Sequence, residues 1–155
     1  MVVKDAEIRR KIADYYRMAP APNPDELPQP RRRIYREANE FAQRLHEVPV
    51  FIIPCIVHDG SVPSNPAFGR GSFIFPAVQN ILLAARGLGL GSILTGRHTM
   101  FDKEVKEILG IPDNVDTAAL LPIGYVADGH GYGPTRRRAL EEVVFTDRWG
   151  NNWGG

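Results

Sequence analysis

At 155 residues the chain can bury one core, but it is too short to add a second substrate-binding domain. Its 43% apolar and 24% charged residues are those of a globular chain rather than a disordered one, and a formal charge of +1 gives no global field to attract nucleic acid or an anionic membrane. The longest apolar runs, 48–57 and 74–85, fall short of the roughly 20 residues a bilayer requires; the start, Met1-Val2-Val3-Lys4-Asp5, has no apolar leader; and Cys55, the single cysteine, excludes an internal disulfide and a cysteine metal cluster, so one cytoplasmic domain over 1–155 is expected.

Asp5 can cap a helix with Ile8, Ile12, Tyr15 and Ala19 on one face and Arg9, Arg10 and Lys11 on the other. Pro20, Pro22 and Pro24 end it, and the proline-rich stretch 20–30 reads as a loop. A second amphipathic helix comes next over 31–46, with Ile34, Ala38, Phe41 and Leu45 inward and Arg36, Glu37, Glu40 and Arg44 wet. The run 48–57 is apolar without alternation, which predicts a strand covered on both faces. Cys55 lies in it as an inert small hydrophobe.

After a Gly-, Pro- and Ser-rich loop over 58–71, the most apolar helix is expected over 72–89, with Pro76 tolerated because it falls near the first turn. A short strand is expected over 90–95. A helix over 102–109 then turns Val105, Ile108 and Leu109 inward, and Gly110 stands where a left-handed cap belongs. The next strand, 118–126, contains Pro122 and Gly124, which points to a sheet edge or a bulge. Beyond the turn-rich 128–134 come Arg136-Arg137-Arg138 and a tail with Trp149, Asn151, Asn152 and Trp153 that reads as packing. Helices alternating with mostly buried strands give an α+β or α/β class.

Gly87-Leu88-Gly89-Leu90-Gly91-Ser92 looks like a phosphate cradle but stands in the wrong order for one. A dinucleotide fingerprint comes after a strand and opens a helix, whereas here the glycines come after a helix and open a strand. A helix cap and tight turn explain them better. The four histidines, His46, His58, His98 and His130, have no metal-ligand spacing.

Four segments in register nevertheless resemble the FMN-dependent nitroreductase family. Phe75 to Arg86, the glycine turn and Thr95-Gly96 are similar to the family's central helix and the strand after it. Lys106-Glu107-Ile108-Leu109-Gly110-Ile111-Pro112 is similar to its next short helix. Ala119 to Tyr125 resembles its last core strand, and Arg137-Arg138 with Leu140-Glu141-Glu142-Val143 resembles its basic C-terminal segment. The resemblance implies an α+β nitroreductase-like sandwich, a mostly antiparallel sheet flanked by helices. It also implies a homodimer with FMN at the subunit interface. NAD(P)H would reduce the flavin, which then passes electrons to a nitroaromatic, quinone or related small-molecule acceptor in a ping-pong cycle, with no catalytic side chain, no metal, no nucleic acid and no membrane. Thr95, Gly96 and Arg97 would contact the isoalloxazine edge, where a backbone N–H stabilises growing electron density. Arg137, helped by Arg136 or Arg138, would hold the phosphate, because a guanidinium fork matches a pair of its oxygens.

The chain departs from the family at its start. Nitroreductases open with an Arg-Arg-Ser-x-Arg type element and a Gln-Pro-Trp-like segment, whereas Met1 to Asp5 resembles the strand and helix start just downstream of those motifs. The chain therefore reads as N-terminally truncated relative to the family, through a misassigned start or a true short form. At about 1.5–3 kcal/mol per charge-assisted bond, the loss of two contacts would weaken FMN binding on the order of hundreds-fold or more. Two rival functions remain: a degenerate, non-catalytic flavin or nucleotide binder, and a phosphate or nucleic-acid binder using Arg31-Arg32-Arg33 and Arg136-Arg137-Arg138.

Overall fold

The computed structural model describes residues 1–58, 69–129, 131–132 and 137–153. Among the described residues, six short strands and four α-helices occur in the order β1 (Val2–Val3), α1 (Ala6–Met18), α2 (Arg31–Arg44), β2 (Val50–Ile52), β3 (Cys55–Val57), α3 (Gly69–Gly87), β4 (Leu90–Ser92), α4 (Asp102–Leu109), β5 (Val115–Thr117) and β6 (Leu121–Tyr125). The main sheet has the order β1-β2-β6-β4 with every neighbour antiparallel, and β3 pairs with β5 in a separate two-stranded sheet. The expected α+β architecture with a mostly antiparallel sheet is what the chain forms.

The continuous apolar run is explained by two cores, one on each face of this sheet. Side chains alternate along a strand, so Phe51 enters a cluster with Ile12, Tyr16, Ala42 and Leu45 of the α1–α2 layer. Its neighbours Val50 and Ile52 pack instead with Val78 and Ala85 of α3 and with Leu121 and Ile123 of β6. A strand covered on both faces has no position left for a polar residue. The run does not form one strand, however. It breaks after Ile52, where Ile53 N–H reaches the Met1 carbonyl (2.9 Å) and the Pro54 carbonyl accepts from Ala118 N–H (2.9 Å). β3 then enters the second sheet, where Cys55 is only half-buried and its Sγ donates to the Ile53 carbonyl at 3.3 Å.

Asp5 caps α1 as expected, its carboxylate accepting from Glu7 and Ile8 N–H at 2.9 Å each. Ile12 and Ala19 are buried and Ile8 packs against the core as expected, but Ala13 and Tyr16 complete the inner face, while Tyr15 is half-buried and meets the Phe101 ring at 5.4 Å. On α2 the buried residue is Ala42, with Leu45 buried just beyond its end. Ile34, near the other end, is exposed. α4 turns Val105 inward and ends in a left-handed Gly110 (φ 64°), whose N–H caps the Glu107 and Lys106 carbonyls.

Two further expectations are corrected. α3 starts at Gly69, so Pro76 lies inside the helix and not in its first turn. Pro122 sits in β6, a central strand flanked by β2 and β4, and not at an edge. Thr95 and Leu120 exchange both backbone hydrogen bonds (3.2 and 2.8 Å), and the ladder resumes only at Ser92 opposite Ile123. Alternation along an antiparallel pair puts the next exchanging position at Pro122 opposite Ile93. Proline has no N–H to give there, so the pairing lapses across Ile93 and Leu94 while the β2 side, which needs no donor from Pro122, stays intact.

Candidate functional site

The lapse in the ladder leaves Thr95 as a single anchored residue at the end of the β4 path. Its N–H and C=O are held by Leu120, and its hydroxyl lies 2.6 Å from the Tyr16 hydroxyl on α1. Tyr16 is buried, with 3% of its surface exposed, so this contact satisfies a phenol that has left water. The chain then turns at Gly96, whose carbonyl accepts from both the N–H (3.0 Å) and the hydroxyl (2.8 Å) of Thr99. Arg97 folds back over the Tyr16 ring, its guanidinium carbon 5.6 Å from the centroid, and donates through Nη2 to Asn39 Oδ1 on α2 at 2.7 Å. α1, α2 and the segment after β4 thus converge on one polar cluster.

Gly96 has φ −122° and ψ 3°, a conformation open to any residue, so backbone strain does not call for glycine here. Among the described residues, nothing lies within 4 Å of where its Cβ would stand. Among the described residues the Gly96 N–H also has no acceptor, whereas the Thr95 N–H, the other candidate donor, is already given to Leu120. The turn therefore offers one unused N–H beside an open approach.

Next in sequence, His98 is fully buried with neither ring nitrogen hydrogen-bonded among the described residues. Burial pushes its imidazole from 6.5 down to about 4, and the nearby Asp102 carboxylate offsets this only in part. Asp102 itself accepts from the Thr117 hydroxyl (2.8 Å) and faces Lys106 Nζ (3.0 Å), tying α4 to β5.

Thr95, Gly96 and Arg97 are thus brought together by chain adjacency and by Tyr16 and Asn39, two residues the sequence did not single out. Tyr16 could have been found by choosing the helical face Ile12-Ala13-Tyr16-Ala19; Asn39 carried no signal. Arg137 and Arg138 are exposed and, among the described residues, make no hydrogen bond or ion pair with this cluster or elsewhere, and Arg136 lies outside the described residues. An open groove of about 660 Å³ between α2 and the β4–β6 edge, lined by Phe41, Val48, Pro122 and Tyr125 with Glu40 and Arg44, contains none of the three strand-end residues. The C-terminal tail closes on itself through a Phe145–Asn152 bridge and a Phe145–Trp149 ring contact at 4.6 Å, leaving Trp149 exposed rather than packed.

The sequence profile of the Nitroreductase family matches residues 1–125. The chain belongs to the nitroreductase family. A protein of Methanothermobacter thermautotrophicus provisionally named NADH dehydrogenase/NAD(P)H nitroreductase is 34% identical over 115 residues, 73% of this chain and 57% of that protein. A protein of the same name from Archaeoglobus fulgidus is 30% identical over 115 residues, 73% of this chain and 65% of that one. This nitroreductase-family chain therefore spans less than two thirds of either relative. Among solved structures, an iodotyrosine deiodinase with FMN and 3-iodo-L-tyrosine bound superposes with TM-score 0.67 at 20% identity, over 94% of this chain and 75% of that one. A nitroreductase from B. subtilis gives 0.70 at 18% identity, over 98% and 57%. At these identities the likeness establishes the nitroreductase fold.

Proposed function

We propose that this chain is an FMN-dependent oxidoreductase that takes electrons from NAD(P)H and delivers them to a nitroaromatic, quinone or related small acceptor, working as a homodimer. The observation that carries the reading is the Gly96 turn: an N–H without an acceptor among the described residues, an open approach, and no conformational need for glycine. Those three features fit a flat ring whose edge accepts a hydrogen bond. Bound FMN would supply the electron transfer itself. The chain's own part is to hold the turn rigid through Thr95, Leu120 and Tyr16, to present the Gly96 N–H, and to place the Arg97 charge alongside. Arg137, with Arg136 and Arg138, is our choice for the phosphate, and its exposure leaves the guanidinium available.

The dimer reading is supported by α3. One face, with Ile74, Val78, Ile81, Leu82 and Ala85, packs on the sheet, while Phe73, Phe75 and Leu83 on the other are 76%, 43% and 59% exposed. A helix apolar on both faces finds cover in a second protein surface.

Titration of the purified chain with FMN, monitored by its visible spectrum, tests the cofactor. Oxidation of NADH or NADPH with a quinone acceptor tests the enzyme. Flavin bound without turnover would favour the non-catalytic reading, and indifference to flavin would remove both. Arg137→Ala should weaken FMN by about 1.5–3 kcal/mol and leave riboflavin almost unchanged; equal losses would take Arg137 off the phosphate. Light scattering at micromolar concentration should give a dimer.

A further inference from the structure

Of the five arginines of α2, Arg31 lies over the Tyr35 ring and the partly buried Arg32 donates to the Leu27 and Asp25 carbonyls, while the other three are charge-paired. Arg33, Arg36 and Arg44 are exposed, and each faces a carboxylate, at 2.7 Å from Glu37, 3.2 Å from Asp25 and 2.8 Å from Glu47. Arg97 is partly buried, where a counter-charge matters more, yet among the described residues it has none. Its only polar partner among them is the neutral Asn39 amide, which uses one of its N–H donors, and the Tyr16 ring supports it. A guanidinium partly withdrawn from water, held by one side-chain amide and without a counter-charge among the described residues is placed to receive an anion.

We infer that Arg97, held by Asn39 and Tyr16, is an anion subsite beside the Gly96 turn, and that it selects an acceptor carrying a carboxylate. This rests on the reading of Gly96 as the place where the ring edge lies. The same oxyanion chemistry could come from the FMN phosphate, but that phosphate stands a whole ribityl chain from the ring edge. Arg97 is the residue adjacent to Gly96, so a carboxylate on the acceptor is the nearer anion.

Benzoate and its neutral isostere benzamide are the probes, observed by ligand NMR on the flavin-free chain and again after FMN is added. Benzoate should bind at least ten-fold more tightly than benzamide in both states. Arg97→Gln should weaken benzoate on the order of ten- to a hundred-fold, the scale of a charge-assisted contact. Asn39→Asp should do the same with the fold intact by circular dichroism, because it supplies the missing counter-charge. With FMN present, turnover of 4-nitrobenzoate should exceed that of 4-nitrobenzamide in kcat/KM, and Arg97→Gln should erase the preference. Benzoate binding unchanged in both variants would overturn the subsite. Displacement of benzoate by FMN, or a loss of FMN relative to riboflavin in Arg97→Gln, would overturn the acceptor assignment in favour of the phosphate. A chain that ignores flavin but still distinguishes benzoate from benzamide through Arg97 would sink the flavin reading and leave the anion site standing.

Discussion

Acid should weaken this protein through His98, and the size of the effect can be worked from its burial. In the unfolded chain the imidazole titrates near its ordinary 6.5, whereas in the folded protein it is held down to about 4 by loss of solvent. Folding therefore favours the neutral ring, and its contribution is complete above pH 6.5. As pH falls below that value the unfolded state takes up a proton that the folded state refuses, and stability declines. The loss levels off near pH 4, once the folded form is protonated too. With about 1.4 kcal/mol per unit of displaced pKa, the full loss is about 3 kcal/mol, and about 2 kcal/mol of it is reached by pH 5. Urea unfolding monitored by circular dichroism at about pH 7.5 and about pH 5 reads the total pH effect, to which carboxylates also contribute. His98→Leu isolates the His98 part, since leucine fills the site without titrating and leaves no buried nitrogen unpartnered. The leucine variant should lose about 2 kcal/mol less than the parent between those two conditions. Equal losses in the two proteins, or a His98 proton resonance titrating near 6.5, would refute the reasoning.

Three further outcomes are expected. Gly110→Ala should cost about 1 kcal/mol in thermal or urea unfolding, because φ 64° places a Cβ in the left-handed region. Leu120→Ala, at a fully buried position of the α1–α2 core, should cost about 2–5 kcal/mol by the same measurement. Tyr16→Phe should cost about 1 kcal/mol by removing the partner of the Thr95 hydroxyl, and Thr95→Val in that background should add less than it does alone, since the two groups share one hydrogen bond.

Local chemistry was legible wherever a residue acts through its immediate neighbours. Asp5 as a cap, Gly110 as a left-handed terminator and Val105 on the inner face of α4 all depend on positions within one helical turn. The apolar run 48–57 likewise announced a strand covered on both faces, which holds for β2 but not for β3, where Val57 is exposed. The family resemblance rested on segment order and was borne out with the fold.

What the sequence left open depends on residues distant along the chain. Tyr15 and Tyr16 both fit the periodicity of α1, and only the placement of α1 against Phe51 and Leu45 buries the second. Pro122 read as an edge signal because proline cannot donate to a ladder, yet one missing donor disturbs only the side toward Ile93, and a central strand can tolerate that. The joining of Thr95 to Tyr16, 79 positions away, and of Arg97 to Asn39, 58 away, has no counterpart in local spacing. His98 reads in sequence as one more polar residue after a turn. Its burial, and with it the displaced titration, exists only because neighbouring elements close over it and exclude water, and desolvation is a property of the packed volume rather than of the residue.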